Sequence, residues 1–180
     1  MADATRRLFM ALWPEPALAG RLQAVSAEAF KVCGGRQMRA KTLHLTLVFV
    51  GDVPESRIPA LLEAMGCVDG RPFQLTVDKL AYWKHNRIVW GGCSEPAAAL
   101  GKLVNDIRGQ VVALGLAGGS EAFSPHITLL RKARPLGELP SLRPIEWPVR
   151  EWVLMESCRS AAGADYRRLA AWPLSQAADV

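Results

Sequence analysis

Hydrophobic and polar positions change period several times along the 180 residues, and each change marks the edge of an element. Arg7 to Leu12 is a short, mostly apolar run of the strand type. Pro14 and Pro16 then open a segment to about Val32 in which Leu18, Leu22, Val25 and Phe30 recur near helical spacing, and Gly34-Gly35 ends it. Leu43 to Val50 is rich in apolar and β-branched residues and stops at Gly51-Asp52, which predicts a strand and a turn. Pro54 to Met65 aligns Ile58, Leu61, Leu62 and Met65 on one helical face, with Glu55 in the first turn, where the helix dipole favours an anion.

Phe73 to Trp83 and Arg87 to Trp90 predict two strands joined by Lys84-His85-Asn86 as a hairpin. Pro96 to Leu114 carries Leu100, Leu103, Val104, Ile107 and Val111 at the spacing of a buried helix face, and Gly115 to Gly119 forms a flexible exit. Strands are expected at Ser124 to Arg131, Val149 to Ser157 and Tyr166 to Trp172, with Gln176 to Val180 as a loose tail, giving about seven strands and three helices. Many strands follow one another through short turns. The expected class is therefore α+β, with mainly antiparallel sheets backed by helices in a single domain over residues 1–180.

Composition narrows the class. Half the residues are hydrophobic and 22% are charged, which excludes a disordered or fibrous chain. The Arg6-Arg7 start followed by Leu8 to Trp13 is cut short by Pro14 and Pro16, and no run approaches the roughly 20 apolar residues of a membrane span. Cys33, Cys67, Cys93 and Cys158 lie far apart, without C-x-x-C or zinc-finger spacing, as expected for reduced thiols in a cytoplasmic protein. The net charge of +5, with arginine far outnumbering lysine, points mildly to an anionic partner, although the same bias follows from GC-rich coding.

The chemistry sits in a repeat. His44-Leu45-Thr46-Leu47 and His126-Ile127-Thr128-Leu129 are near copies 82 residues apart, and they use two of three histidines in the chain. Side chains alternate along a strand, so His44 shares a face with Thr46 and His126 with Thr128, while the aliphatic residues anchor the other face. A lone strand histidine is ordinarily a packing feature. Recurrence of a rare residue with the same partner two places on argues instead for two imidazoles and two hydroxyls gathered around a small anion. Arg131 supplies a further charge, but strict alternation from His126 turns it to the opposite face, so a phosphate role requires a bulge or the strand's end; otherwise it is a solvated charge. Phe9 and Phe49 are candidates for stacking on a base or for the core, and His85, in its turn, lacks a threonine two places on.

The paired His-x-Thr-Leu motifs resemble the signature of the two-histidine phosphoesterase superfamily, and most closely its RNA 2′,3′-cyclic phosphodiesterases. The segments Arg7 to Pro14, Leu43 to Gly51, Ser124 to Arg131 and Tyr166 to Leu174 are similar to the family's in the same order. The resemblance implies a two-lobed fold, each lobe an antiparallel sheet backed by helices, with the active site in the cleft between lobes. It also implies a metal-independent reaction without cofactor: His44 as proton donor to the leaving ribose 3′ oxygen, His126 as base for water, Thr46, Thr128 and Arg131 on the phosphate, and a 2′-phosphate product. Expected partners are RNA with 2′,3′-cyclic phosphate ends or small cyclic nucleotides, taken by a monomer. With an unperturbed imidazole pKa of about 6.5, one histidine neutral and one protonated suffice for the proton traffic near neutral pH.

Two other classes stay open at this point. A metal hydrolase would also use histidines, but neither H-x-x-x-H nor H-E-x-x-H occurs, and no carboxylate stands beside either motif. The alternative is an RNA-end binding module, or a reversible 2′,5′ RNA ligation module running the same chemistry backwards. An ATP-driven ligase is disfavoured by the lack of G-x-x-x-x-G-K.

Overall fold

The computed structural model describes residues 3–119, 122–160 and 163–175, with the backbone alone at 159–160 and 163–164. In chain order its elements are β1 (Thr5–Leu12), α1 (Pro16–Cys33), β2 (Arg36–Gln37), a 3-10 turn (Ala40–Thr42), β3 (Leu45–Pro54) and a second 3-10 turn (Glu55–Arg57). These lead into α2 (Ile58–Gly66), β4 (Phe73–Val77), β5 (Lys79–Trp83), β6 (Ile88–Gly92), α3 (Ala98–Ala113), β7 (Ile127–Arg131), β8 (Ile145–Val149), β9 (Glu151–Ser160) and β10 (Gly163–Pro173). The expected tail at Gln176 to Val180 lies outside the described residues. No described helix is long and apolar enough to cross a membrane.

All strand pairs are antiparallel, in an α+β arrangement. One sheet runs in the order β10-β9-β1-β3-β7-β6-β5, with β2 added on β7, and a separate ribbon pairs β4 with β8. The two motif strands, β3 and β7, are neighbours at the centre of the large sheet, yet they share a single register pair, Leu45 opposite Ile127. That contact joins the two halves of the sheet. Both residues are buried in the main core, where each apolar side chain contributes about 1.5–3 kcal/mol.

The helices cross over between the halves. The apolar face of α1, including Leu18, Leu22, Ala29 and Cys33, is buried, and Ser26 Oγ donates to Leu129 O at 3.1 Å, tying α1 to β7. Helix α3 buries Leu100, Leu103, Val104, Ile107 and Val111 and packs on β3 and α2. Gly35 follows α1 at φ 88°, and a Cβ there would lie 2.6 Å from Arg131 O. Only glycine fits, and its bareness lets the chain return as β2 along β7.

Several expected boundaries are corrected. The run Phe73 to Trp83 is two strands in different sheets, broken at Asp78, whose Oδ1 accepts hydrogen bonds from Ser94 N at 2.7 Å and Ser94 Oγ at 3.0 Å. Strand β3 does not stop at Gly51-Asp52. Gly51 takes φ 87° within a register shift against β1, and the strand continues to Pro54. Strands β2 and β8 go beyond the sequence expectation; β8 alternates cleanly, with Ile145, Trp147 and Val149 buried, but Pro148 masks it as a loop signal.

Candidate active site

The histidine-threonine pairs come together through the one contact between their strands. Leu45 and Ile127 are directly opposite and point into the core, so their flanking residues point to the other face. The same antiparallel register aligns His44 with Thr128 and Thr46 with His126. All four side chains line one cavity of about 220 Å³, with Phe9, Met38, Thr42, Phe49, Arg131, Ser157 and Tyr166 completing the walls.

The ring of each histidine is fixed in the same way. His44 Nδ1 lies 2.8 Å from Thr42 O, and His126 Nδ1 lies 2.9 Å from Ser124 O, in both cases the carbonyl two residues earlier. A carbonyl can only accept, so Nδ1–H donates and Nε2 is left as the unprotonated nitrogen of the neutral ring. Both histidines stand one residue before their strands rather than within them, and that start lets the ring fold back onto the preceding carbonyl.

The repeat extends further than its tetrapeptide. Opposite β1, Thr46 pairs with Ala11 and Val48 with Met10, so Leu47 is an extra residue. Opposite β6, Thr128 pairs with Trp90 and Leu130 with Val89, so Leu129 is extra at the equivalent position. A bulge reverses the alternation after it. As a result the residue five places beyond each histidine, Phe49 in one motif and Arg131 in the other, faces the same cavity as the histidine and threonine. The bulge that a cavity-facing Arg131 requires is present.

The surroundings of the two histidines differ. His44 is enclosed by Phe9, Trp13 and Tyr166, each with its ring centroid 5.1 Å away, Trp13 lying flat and Tyr166 edge-on. His126 has Trp83 edge-on at 4.6 Å and Trp90 at 6.4 Å. Burial within its cage pushes the His44 pKa down to about 4, against the raising effect of the Thr42 carbonyl, with smaller lowering from the charges of His126 and Arg131. The cage by itself therefore holds His44 neutral at pH 7.

Of the two phenylalanines, Phe9 is buried against His44, whereas Phe49 is 44% exposed at the cavity with Arg7 over its ring at 5.0 Å. His85 sits in the exposed turn between β5 and β6, 6.2 Å from Trp83 and outside the cavity lining. Sequence reading missed Trp13, Trp83, Trp90, Tyr166, Ser157, Met38 and Thr42, because each reaches the site from another element through strand order. Among the described residues no three His, Cys, Asp or Glu side chains gather closely enough to hold a metal ion.

Antiparallel sheets that bring two His-x-Thr copies to one cavity, each ring clamped through Nδ1, define a two-histidine phosphoesterase. Comparison with known proteins gives the narrower group. Residues 12–90 match the family described as LigT like Phosphoesterase. The chain is 32% identical over 173 residues to the RNA 2′,3′-cyclic phosphodiesterase of Escherichia coli (strain K12), covering 95% of this chain and 98% of that protein. It is 31% identical over 174 residues to the RNA 2′,3′-cyclic phosphodiesterase of Thermus thermophilus, covering 89% and 86%. The crystal structure of E. coli LigT complexed with 3′-AMP matches with a TM-score of 0.88 at 32% identity, over 96% of this chain and 99% of that one. The chain belongs to the RNA 2′,3′-cyclic phosphodiesterase family, a group of phosphodiester hydrolases.

Proposed function

We propose that this protein hydrolyses 2′,3′-cyclic phosphate ends of RNA, or of small cyclic nucleotides, to 2′-phosphates, using His44 and His126 and no metal. The observation that carries this reading is the crosswise alignment of His44 with Thr128 and of Thr46 with His126 around one cavity. In the reaction His126 Nε2 takes a proton from water as the water oxygen bonds to phosphorus. The bond from phosphorus to the ribose 3′ oxygen breaks, and His44 Nε2 gives that oxygen its proton. The phosphate stays on the 2′ oxygen.

The threonine hydroxyls and the Arg131 guanidinium serve the non-bridging oxygens, where charge grows in the transition state. Family resemblance assigns His44 as acid, yet burial keeps it neutral in the free protein. The two fit together if the substrate restores the proton. A cyclic phosphate is an anion, and its arrival beside His44 favours the imidazolium and opposes the desolvation. Substrate binding is then coupled to proton uptake, and the Thr42 carbonyl stabilises the charged ring.

Both motifs serve one cavity, so we take residues 1–180 as a single two-lobed catalytic unit, with the cleft between lobes and Leu45 and Ile127 at their junction. It acts as a monomer in the cytoplasm, with its four thiols reduced. The test is incubation with a 2′,3′-cyclic nucleotide in excess chelator, followed by identification of the product. Turnover to the 2′-phosphate is expected, with a loss of orders of magnitude in His44→Ala and His126→Ala. Turnover that appears only after a divalent metal is added, or release of the 3′-phosphate, would overturn the proposal. A pure RNA-end binder would bind and show no turnover.

A further inference from the structure

The two histidines share one kind of clamp and differ in what holds the ring around it. A hydrogen bond from Nδ1–H to a backbone carbonyl fixes one atom of an imidazole, and the ring can still pivot about that atom. Around His44 the pivot is blocked by Phe9, Trp13 and Tyr166, each 5.1 Å away. Around His126 it is blocked from one hairpin: Trp83 meets the ring at 4.6 Å with planes 68° apart, and Trp90 follows at 6.4 Å. Neither tryptophan lines the cavity, so whatever they do to the reaction passes through His126.

Strand order brings Trp83 there. β5 is the last strand of the large sheet, and β6 lies between it and β7. Trp90 is directly opposite Thr128 on one side and Ala81 on the other. Side chains two apart share a face, so Trp83 of β5 and Gly92 of β6 lie on the cavity side of the sheet with them. Trp83 rests on Trp90, with ring centroids 5.0 Å apart, and Trp90 is buried and so is itself held. The room beside Trp90 is made by a missing side chain. A Cβ at Gly92 would lie 2.6 Å from Trp90 Cζ3 and 3.0 Å from Pro125 O, so any other residue would crowd both the indole and the segment that carries His126.

We propose that Trp83 is a positioning residue for His126: it sets the plane of the imidazole so that Nδ1–H stays on Ser124 O and Nε2 stays turned to the cavity, with Trp90 behind it and Gly92 giving Trp90 room. The inference rests on the reading of His126 as a reacting group of a cyclic-phosphate site. Which nitrogen of a neutral imidazole carries the proton is set by the hydrogen bond the ring makes. A ring free to swing off Ser124 O exchanges between tautomers, and the form with its proton on Nε2 has no lone pair there to take a proton from water. A misplacement of about 1 Å also costs up to about 100-fold in rate.

The test is Trp83→Ala, with Trp83→Phe as the conservative variant, read by nitrogen NMR of the histidine rings and by kinetics on a 2′,3′-cyclic nucleotide. Neutral His126 in the wild type should show a single tautomer with its proton on Nδ1. Trp83→Ala should show a mixture of tautomers there, while the His44 signals stay unchanged and report an intact fold. Its kcat should fall by about tenfold or more with KM within about threefold of the wild type, the pattern of a group lost from the transition state rather than from substrate binding. Trp83→Phe, which keeps an aromatic ring against Trp90, should recover the single tautomer and most of the rate. If the alanine variant does not fold, Trp83→Leu gives the same comparison. A single Nδ1–H tautomer in the alanine or leucine variant, an unchanged kcat, or a loss confined to KM overturns this proposal. No turnover by the wild type overturns the cyclic-phosphate reading instead, and the tautomer measurement still decides whether Trp83 holds the ring.

Discussion

Trp13 lies flat on His44, with ring planes 1° apart and centroids 5.1 Å apart. The indole covers one face of the imidazole, while Phe9 and Tyr166 close other sides. Water is thereby kept from the ring, and desolvation is the largest cause of its lowered pKa. Replacing Trp13 by Ala should raise the His44 pKa from about 4 toward the ordinary 6.5. NMR titration of the His44 ring checks this, and an unchanged pKa would show that the indole does not control its ionisation.

The same shift predicts how rate depends on pH. In the free protein His44 gains its proton at about pH 4, so the acid limb of kcat/KM should lie there rather than near 6.5. Trp13→Ala should move the limb upward. An acid limb that stays near 6.5 in the wild type would contradict a caged, neutral His44.

Stability should follow with a definite sign. A histidine whose folded pKa is lowered binds fewer protons folded than unfolded between about pH 4 and 6.5, so stability rises with pH across that window. Conversely, stability is lost on acidification from 6.5 to 4, by up to about 3 kcal/mol from this group. Urea unfolding at pH 7 and pH 4.5 measures the loss. His44→Gln should show a smaller loss than the wild type, since carboxylates common to both cancel in the comparison. Equal losses would remove the assigned cause.

What could be read from the chain stops where long-range register begins. The shared face of His44 with Thr46, and of His126 with Thr128, follows from spacing two along a strand, and the buried faces of α1 and α3 follow from helical spacing. Neither spacing encodes that Leu45 meets Ile127, yet that one pair aligns the two motifs crosswise. Alternation carried past Thr128 also turns Arg131 the wrong way, because the extra residue at Leu129 is visible only against β6. The aromatic cage is hidden for a related reason. Phe9 comes from β1, Trp13 from just beyond it and Tyr166 from β10, and strand order brings them to His44. Pro148 conceals β8 by a local rule that an edge position relaxes.

The threonines should matter for rate more than for folding. Their hydroxyls are assigned to oxygens that gain charge in the transition state, and losing one such donor costs about 10²–10³-fold in kcat. Thr46→Ala and Thr128→Ala should each fall in that range, while Thr→Ser at either position, which keeps the hydroxyl, should recover most of the rate. The alignment of Thr46 with His126 and of Thr128 with His44 makes the two losses comparable. A loss of less than about threefold in either alanine variant would reduce that threonine to a strand-forming residue.

The acid and base roles can be separated with a leaving group that needs no proton. In a 2′,3′-cyclic substrate with sulfur at the bridging 3′ position, the P–S bond breaks to a thiolate, which departs without general acid help. If His44 is the acid, His44→Ala should be severely impaired on the oxygen substrate and largely restored on the sulfur one. His126→Ala should stay impaired on both, since water must still lose its proton. Rescue of His126→Ala instead would exchange the roles and would agree with the neutral His44 of the free protein acting as base. The burial of His44 then decides the chemistry directly. Rescue of His44→Ala shows instead that the substrate's own charge overcomes that burial and supplies the acid.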